Sequence, residues 1–317
     1  MLTTLRVRKA IVAIPEHVLR EWSLRGGRFQ PAWTTALVKE ALDAGKRLTG
    51  LTYQIIEQGS YPNKTNIPNS SDIDLVIQLR LPFEERINAL KDAAYKRFWT
   101  KYDGATYSLP QFRAAVLATL RERYFADQGS KCIDIHDWDS LLRVPADVVA
   151  ALEYRQYRDF PAIGPEDYEE GVFFHDGSGR AIINFPKQHL ANGANKDRAC
   201  GGQFKPMVRL FKNARLRCEL LPERAKKMTK VQEVKEMPSY FVECLVYNIP
   251  NKVIAQPITA AYQDCLAWLE QNVKKSHKFL CVNGITDLFG KHHSWKIKQA
   301  KDFVSALRLQ WDEWPPA

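Results

Sequence analysis

Two carboxylates, Asp72 and Asp74, stand one residue apart at the head of the apolar run DIDLVIQL, eleven residues after the dipeptide Gly59-Ser60. In an extended chain successive side chains alternate faces, so Asp72 and Asp74 share one face and Ile73, Leu75, Ile77 and Leu79 share the other. The apolar face must be buried. A carboxylate pair at the mouth of such a strand is costly unless it meets water or cations. Two oxygen donors of this kind form half of a Mg²⁺ site. Two-metal phosphoryl transfer clamps the attacking and leaving oxygens between such ions, and it calls for a third carboxylate from a neighbouring strand. Asp147 in RVPADVV and Asp134 in KCIDIH are both candidates, and the residues alone do not choose between them. Gly59 lets the backbone approach a phosphate closely, Ser60 can donate a hydroxyl hydrogen bond to it, and a helix opening after the pair would add backbone N–H donors.

The elements that must position these groups are legible in outline. Leu37, Val38, Ala41, Leu42 and Leu48 recur at helical spacing over residues 32 to 49. LTYQIIE (51–57) and IDLVIQL (73–79) read as strands flanking the loop YPNKTNIPNSS. Pro82 is expected to open a helix reaching about Trp99, and Pro110 another reaching Phe125. KCIDIH (131–136) and LRVPADVV (142–149) are further strand candidates, which outlines an α/β region over about 50–160. After about 185 the signals are helical: 204–216, 238–247, 257–272 and 294–311.

The whole chain sets outer bounds. Its 317 residues exceed one compact core, and its composition is that of a soluble globular protein. No apolar run approaches a membrane span, and the opening MLTTLRVRKAIVAIPEH lacks a signal-peptide core, so a cytoplasmic location without membrane attachment is expected. Six cysteines form no C-x-x-C pair, which argues for reduced, buried thiols rather than structural zinc. A net charge of +10 favours anionic partners. Within the helical part, Lys205, Arg209 and Lys212 fall on one helical face, and Pro238 places Ser239 in a first turn whose N–H groups favour anions.

GSYPNKTNIPNSSDIDLVI resembles the signature of the cGAS/DncV-like nucleotidyltransferases (CD-NTases), within the DNA polymerase β-like superfamily. The resemblance continues through RVPADVV, INFPKQHLANGANKDRACGGQFKPMVRLFKN, MPSYFVECLVYNIP and FLCVNGITDLFG, covering about 50–310, and is nearest to the CdnE-type pyrimidine-using clade. It implies an α+β fold: a polymerase β-like catalytic lobe of mixed sheet and helices, and a helical lobe, with the active site in the cleft. The expected domains are 1–185, a bridging N-terminal helix with the catalytic lobe, and 186–317, the helical nucleotide-binding lobe.

It also implies roles. RVPADVV looks like the family's third-aspartate strand, so Asp72, Asp74 and Asp147 are the expected catalytic and metal-binding residues, with Mg²⁺ as cofactor and Mn²⁺ as substitute. Gly59, Ser60, Lys205, Ser239 and Tyr240 are expected to bind nucleotide, Lys205 and Ser239 on phosphate and Tyr240 on a base, with Arg209 and Lys212 as further phosphate contacts. Asn184 matches a position where asparagine accompanies pyrimidine use; an amide can complement the O4 and N3–H edge of uracil. The implied reaction is template-free joining of nucleoside triphosphates, UTP and ATP foremost, into a cyclic messenger that activates a separate anti-phage (CBASS) effector. The expected oligomeric state is a monomer. No Cys/His insertion resembles the zinc thumb used for DNA sensing. The competing readings are a transferase acting on RNA or protein, and a non-catalytic nucleotide sensor.

Overall fold

The computed structural model describes residues 13–27, 31–68, 72–102, 104–135, 145–221, 226, 230–290 and 295–314, with the side chains of residues 31, 276 and 277 excepted. In chain order its first half comprises α1 (Glu16–Ser23), α2 (Pro31–Ala44), β1 (Tyr53–Gln58), α3 (Ser60–Asn63), β2 (Ile73–Arg86), α4 (Asp92–Lys101), α5 (Leu109–Leu120), β3 (Ala126–Gln128), β4 (Ile133–Ile135) and β5 (Ala146–Asp159). There follow β6 (Asp167–His175), β7 (Ala181–Asn184), α6 (Pro186–Ala199), α7 (Phe204–Leu216), α8 (Val231–Lys235), α9 (Ser239–Tyr247), α10 (Asn251–Ile254), α11 (Ile258–Asn272) and α12 (Ile297–Asp312). Residues 1–12, 69–71 of the loop, His136, Lys227 and Pro315-Pro316-Ala317 of the tail lie outside the described residues.

The alternation in IDLVIQL produces the expected apolar face: Ile73, Leu75, Ile77 and Leu79 are at most 2% exposed. Beyond Asp74 the other face closes too, because Val76 and Gln78 are fully buried and the Gln78 amide donates to the Gly171 carbonyl at 2.8 Å. Burial on both faces is what a strand in the middle of a covered sheet requires. β2 lies between antiparallel β1 and parallel β5; β5 carries β4 and then β3, and also pairs with β6, which pairs with β7. Helices α2 and α5 cover one face through Val38, Leu42, Phe112, Val116 and Leu120. Ser108 and Gln111 form a capping box that starts α5.

A second compact unit contains the described residues up to Arg25, Asn195–Val282 and those from Thr286 onward. Its core joins Leu19 and Trp22 of α1 to Phe211 of α7, Phe241 of α9, Leu266 of α11 and Phe303 of α12.

Three expectations change. Pro82 does not open a helix. It sits inside β2 at the register shift between Leu79 and Phe83, and Phe83–Arg86 resume pairing with β5, so the helix begins at Asp92. An irregularity in the ladder is where a residue without an N–H can be accommodated. β6 and β7, beyond the strands expected from the sequence, extend the sheet. The two compact units divide between Ala194 and Asn195, within α6, rather than at 185/186, and α1 packs with the helices because Leu19 and Trp22 are buried among them.

Candidate active site

Strand register, rather than sequence proximity, assembles the acidic residues. Asp74 is the cross-strand partner of Gln58 on β1 and of Asp147 on β5. Asp147 is in turn opposite Asp134 on β4, and Asp134 is opposite Asp127 on β3. Directly paired residues present their side chains to the same face, so Asp74, Asp147 and Asp134 form a row across three adjacent strands. Asp72 is exposed just before β2, while Asp74, Asp147 and Asp134 are half-buried. Burial first, then the negative charges of Asp72 and Asp134, push the Asp147 carboxyl up to about 6.

The Gly59-Ser60 turn is built against this row. Gly59 has φ +76°, and a Cβ placed on it would lie 1.8 Å from Asp74 Oδ2, so only glycine allows this approach. The single helical turn α3 begins at Ser60, and the buried Asn63 side chain donates back to the Gly59 carbonyl at 2.7 Å. The expected helix after the dipeptide thus exists, though it is one turn long.

Cys132, expected only as a buried thiol, is a neighbour of this row. It is half-buried, and its thiol donates to Asp134 Oδ1 at 3.0 Å. Burial, the Asp134 hydrogen bond and the charges of Asp147, Asp134 and Asp74 hold that thiol well above its ordinary pKa. Potential ligand atoms of Cys132, Asp134 and Asp147 lie within 4.8 Å of one another. The signal was present: Cys132 precedes Asp134 by two residues and therefore shares its face. The other five cysteines are buried thiols outside any disulfide, as expected. Several carboxylates gathered on one face, with one resisting ionisation through burial and like charge, fit a hard divalent cation bound through oxygen. A cation there would relieve both penalties.

In the helical unit, Lys205, Arg209 and Lys212 all lie on α7, but their surroundings differ. Lys205 is half-buried, and its backbone N–H donates to Asp197 Oδ1 at 3.0 Å. Arg209 Nε donates to the Ser23 carbonyl at 2.7 Å, and burial together with the nearby Arg25 charge lowers its pKa to about 10. Lys212 corrects the expectation of a phosphate contact: it is 2% exposed, with Nζ 3.6 Å from Glu243. Helical spacing correctly placed it on α7 but could not show that its side of the helix faces α9. Ser239 is the first residue of α9, and its Oγ accepts from Arg215 Nη2 at 3.4 Å. Tyr240 packs against the helical core, 6.0 Å from Trp295 between ring centroids. Asn184 closes β7 opposite Val172 and is half-buried in the α+β unit.

The family model for the cGAS/DncV-like nucleotidyltransferase C-terminal helical domain matches residues 191–312. The cyclic UMP-AMP synthase of Rhodothermus marinus (strain SG0.5JP17-172) is 33% identical over 307 residues, covering 95% of this chain and 99% of that protein. The cyclic nucleotide synthase CdnE01 of Staphylococcus haemolyticus is 31% identical over 312 residues, covering 96% and 100%. The chain belongs to the cGAS/DncV-like nucleotidyltransferases. The structure of the Rhodothermus marinus CdnE c-UMP-AMP synthase, solved with Apcpp and Upnpp, matches this CD-NTase with a TM-score of 0.78 at 30% identity, over 96% of this chain and 98% of that one.

As a CD-NTase the protein is an enzyme of a metal-dependent family, and cyclic oligonucleotide synthesis is favoured over transfer to RNA or protein and over a non-catalytic sensor. No helix among the described residues is long and apolar enough to cross a membrane.

Proposed function

We propose that this CD-NTase joins nucleoside triphosphates, without a template, into a uridine-containing cyclic oligonucleotide, such as cyclic UMP-AMP from UTP and ATP or cyclic di-UMP from two UTP, releasing pyrophosphate. The observation that carries the chemistry is the register of Asp74 with Asp147, which brings two carboxylates from separate strands onto one face beside the Gly59 turn. The uridine part rests on Asn184 and on the likeness to a cyclic UMP-AMP synthase.

In each condensation a sugar hydroxyl oxygen forms a bond to the α-phosphorus of a triphosphate. The bond from that phosphorus to the bridging oxygen breaks, and pyrophosphate leaves with the electron pair. The hydroxyl proton is drawn toward Asp147, whose carboxylate shares one face with Asp74 across the paired strands. Asp72, Asp74 and Asp147 would hold Mg²⁺, with Mn²⁺ as a substitute; when bound, it neutralises phosphate charge and acidifies the hydroxyl. The Gly59 backbone and the Ser60 hydroxyl face the phosphates. Lys205 and Ser239 of the helical unit grip the triphosphate, with Arg209 in support and Tyr240 against a base. A second condensation closes the ring. The product would act on a separate effector in anti-phage signalling, and the enzyme works as a cytoplasmic monomer.

The test is incubation of the purified protein with labelled nucleoside triphosphates, singly and in pairs, with Mg²⁺ or Mn²⁺ and then phosphatase. A phosphatase-resistant product dependent on UTP is expected. Only phosphatase-sensitive linear products would exclude cyclisation, and a resistant product made from purine nucleotides alone would exclude the uridine assignment.

A further inference from the structure

Arg215, near the C-terminal end of α7, is an unusual occupant of the helical core. It is 7% exposed, and among the described residues no carboxylate lies within ion-pair distance of it. Glu243, on α9, is the ion-pair partner of Lys212. Arg215 Nη1 donates to the Met237 carbonyl and Nη2 to Ser239 Oγ at 3.4 Å, while Nε is shielded from water and has no acceptor among the described residues. Burial depresses the guanidinium pKa, so the charge is held at a cost.

Met237 and Ser239 flank Pro238, the residue that caps α9. Arg215 therefore ties both sides of the turn that opens this helix. Its two hydrogen bonds also set the direction of the serine. Ser239 Oγ already accepts from the guanidinium, so its own O–H must point elsewhere and is available to donate. The first-turn amides of α9 beside it have no intrahelical acceptors, and the dipole there favours negative charge. A buried cation with no ion-pair carboxylate among the described residues, a hydroxyl oxygen that already accepts from it and a helix N-terminus thus converge on one locus.

We infer that Arg215 is a positioning residue for the triphosphate grip: it orients Ser239 as a donor toward an anionic phosphate and lends that hydroxyl its charge. This rests on the proposed role of Ser239 and names the residue on which that role depends.

A double-mutant cycle tests it. Arg215→Lys keeps the charge but cannot hold the Met237 carbonyl and Ser239 Oγ together. Arg215→Lys and Ser239→Ala should each raise the KM for nucleoside triphosphate about tenfold, as expected for one charge-assisted hydrogen bond, with kcat changed much less. The double variant should be no worse than Ser239→Ala, because the arginine acts through the serine. Multiplying KM effects would overturn the inference, as would an Arg215→Lys variant with unchanged KM. If Ser239→Ala itself leaves KM unchanged, the triphosphate role of Ser239 fails first. Thermal melting and tripolyphosphate binding by calorimetry accompany each variant. Should Arg215→Lys not fold, Arg215→Gln, which retains a donor for the Met237 carbonyl, takes its place in the cycle. Weaker tripolyphosphate binding in a variant with unchanged Tm supports the inference; unchanged binding in such a variant overturns it.

Discussion

Asp74 and Asp147, seventy-three positions apart in the chain, are direct partners in the parallel pairing of β2 with β5, and Gly59 packs against the Asp74 carboxylate from the adjacent turn. Substitutions at these three positions should therefore behave differently from one another.

Gly59→Ala places a methyl group 1.8 Å from Asp74 Oδ2, on a backbone with φ +76°. Either the turn or the carboxylate must move. A displacement near 1 Å at a catalytic group costs on the order of 100-fold in rate, so product formation should fall by at least that much while circular dichroism remains native. A Gly59→Ala enzyme with wild-type kcat would contradict the role assigned to this contact.

Asp147→Asn should abolish synthesis and yet stabilise the metal-free protein. The wild-type carboxyl is pushed up to about 6 by burial and by Asp72 and Asp134, so its ionised form is unfavourable in the fold. Neutralising it should gain on the order of 1 kcal/mol at pH 7, allowing for the solvent that still screens this half-buried group. Chemical denaturation in EDTA measures this; a loss of stability would contradict it. Asp72→Asn and Asp74→Asn should likewise eliminate product.

The pH dependence has a definite sign. A carboxyl whose folded-state pKa, about 6, exceeds its unfolded value of 3.8 holds its proton more tightly when folded. The Asp147 contribution to metal-free stability therefore declines as pH rises from about 4 to 6. Mg²⁺ competes with that proton, so the Mg²⁺-induced rise in Tm should be larger at pH 7.5 than at pH 5.5. An equal rise at both values, with the protein folded throughout, would remove Asp147 from the metal site.

Asn184→Ser removes an amide that can both donate to and accept from a uracil edge. Incorporation should shift from UTP toward ATP or GTP, read as the ratio of labelled products at equal triphosphate concentrations. An unchanged product profile would show that Asn184 does not select the base.

Lys205 and Lys212 should separate cleanly although they lie on the same helix. Lys205→Ala is expected to raise the KM for nucleoside triphosphates with little change in Tm. Lys212→Ala removes the buried cation that faces Glu243 and should cost about 3 to 5 kcal/mol of stability, measured by denaturation, with KM unaffected in the folded fraction.

Much of this was written locally in the chain. The alternation around Asp72 and Asp74, the Gly59-Ser60 turn and the longer helices of the second half follow from periodicity and capping, which depend on near neighbours. The choice between Asp147 and Asp134 did not, because strand pairing between distant segments decides which side chains share a face, and the structure places both there with Cys132 beside them. Pro82 misled because a proline that often opens a helix also fits a break in a ladder, and only pairing with β5 distinguishes the two. Lys212 misled because helical spacing defines a face without saying what packs on it; Glu243 on α9 turned that position inward. Sequence thus determined the chemistry available to this CD-NTase: acidic pair, glycine turn, basic helix. Tertiary structure decided which of those groups meet, since register and packing are properties of segments brought together only by folding.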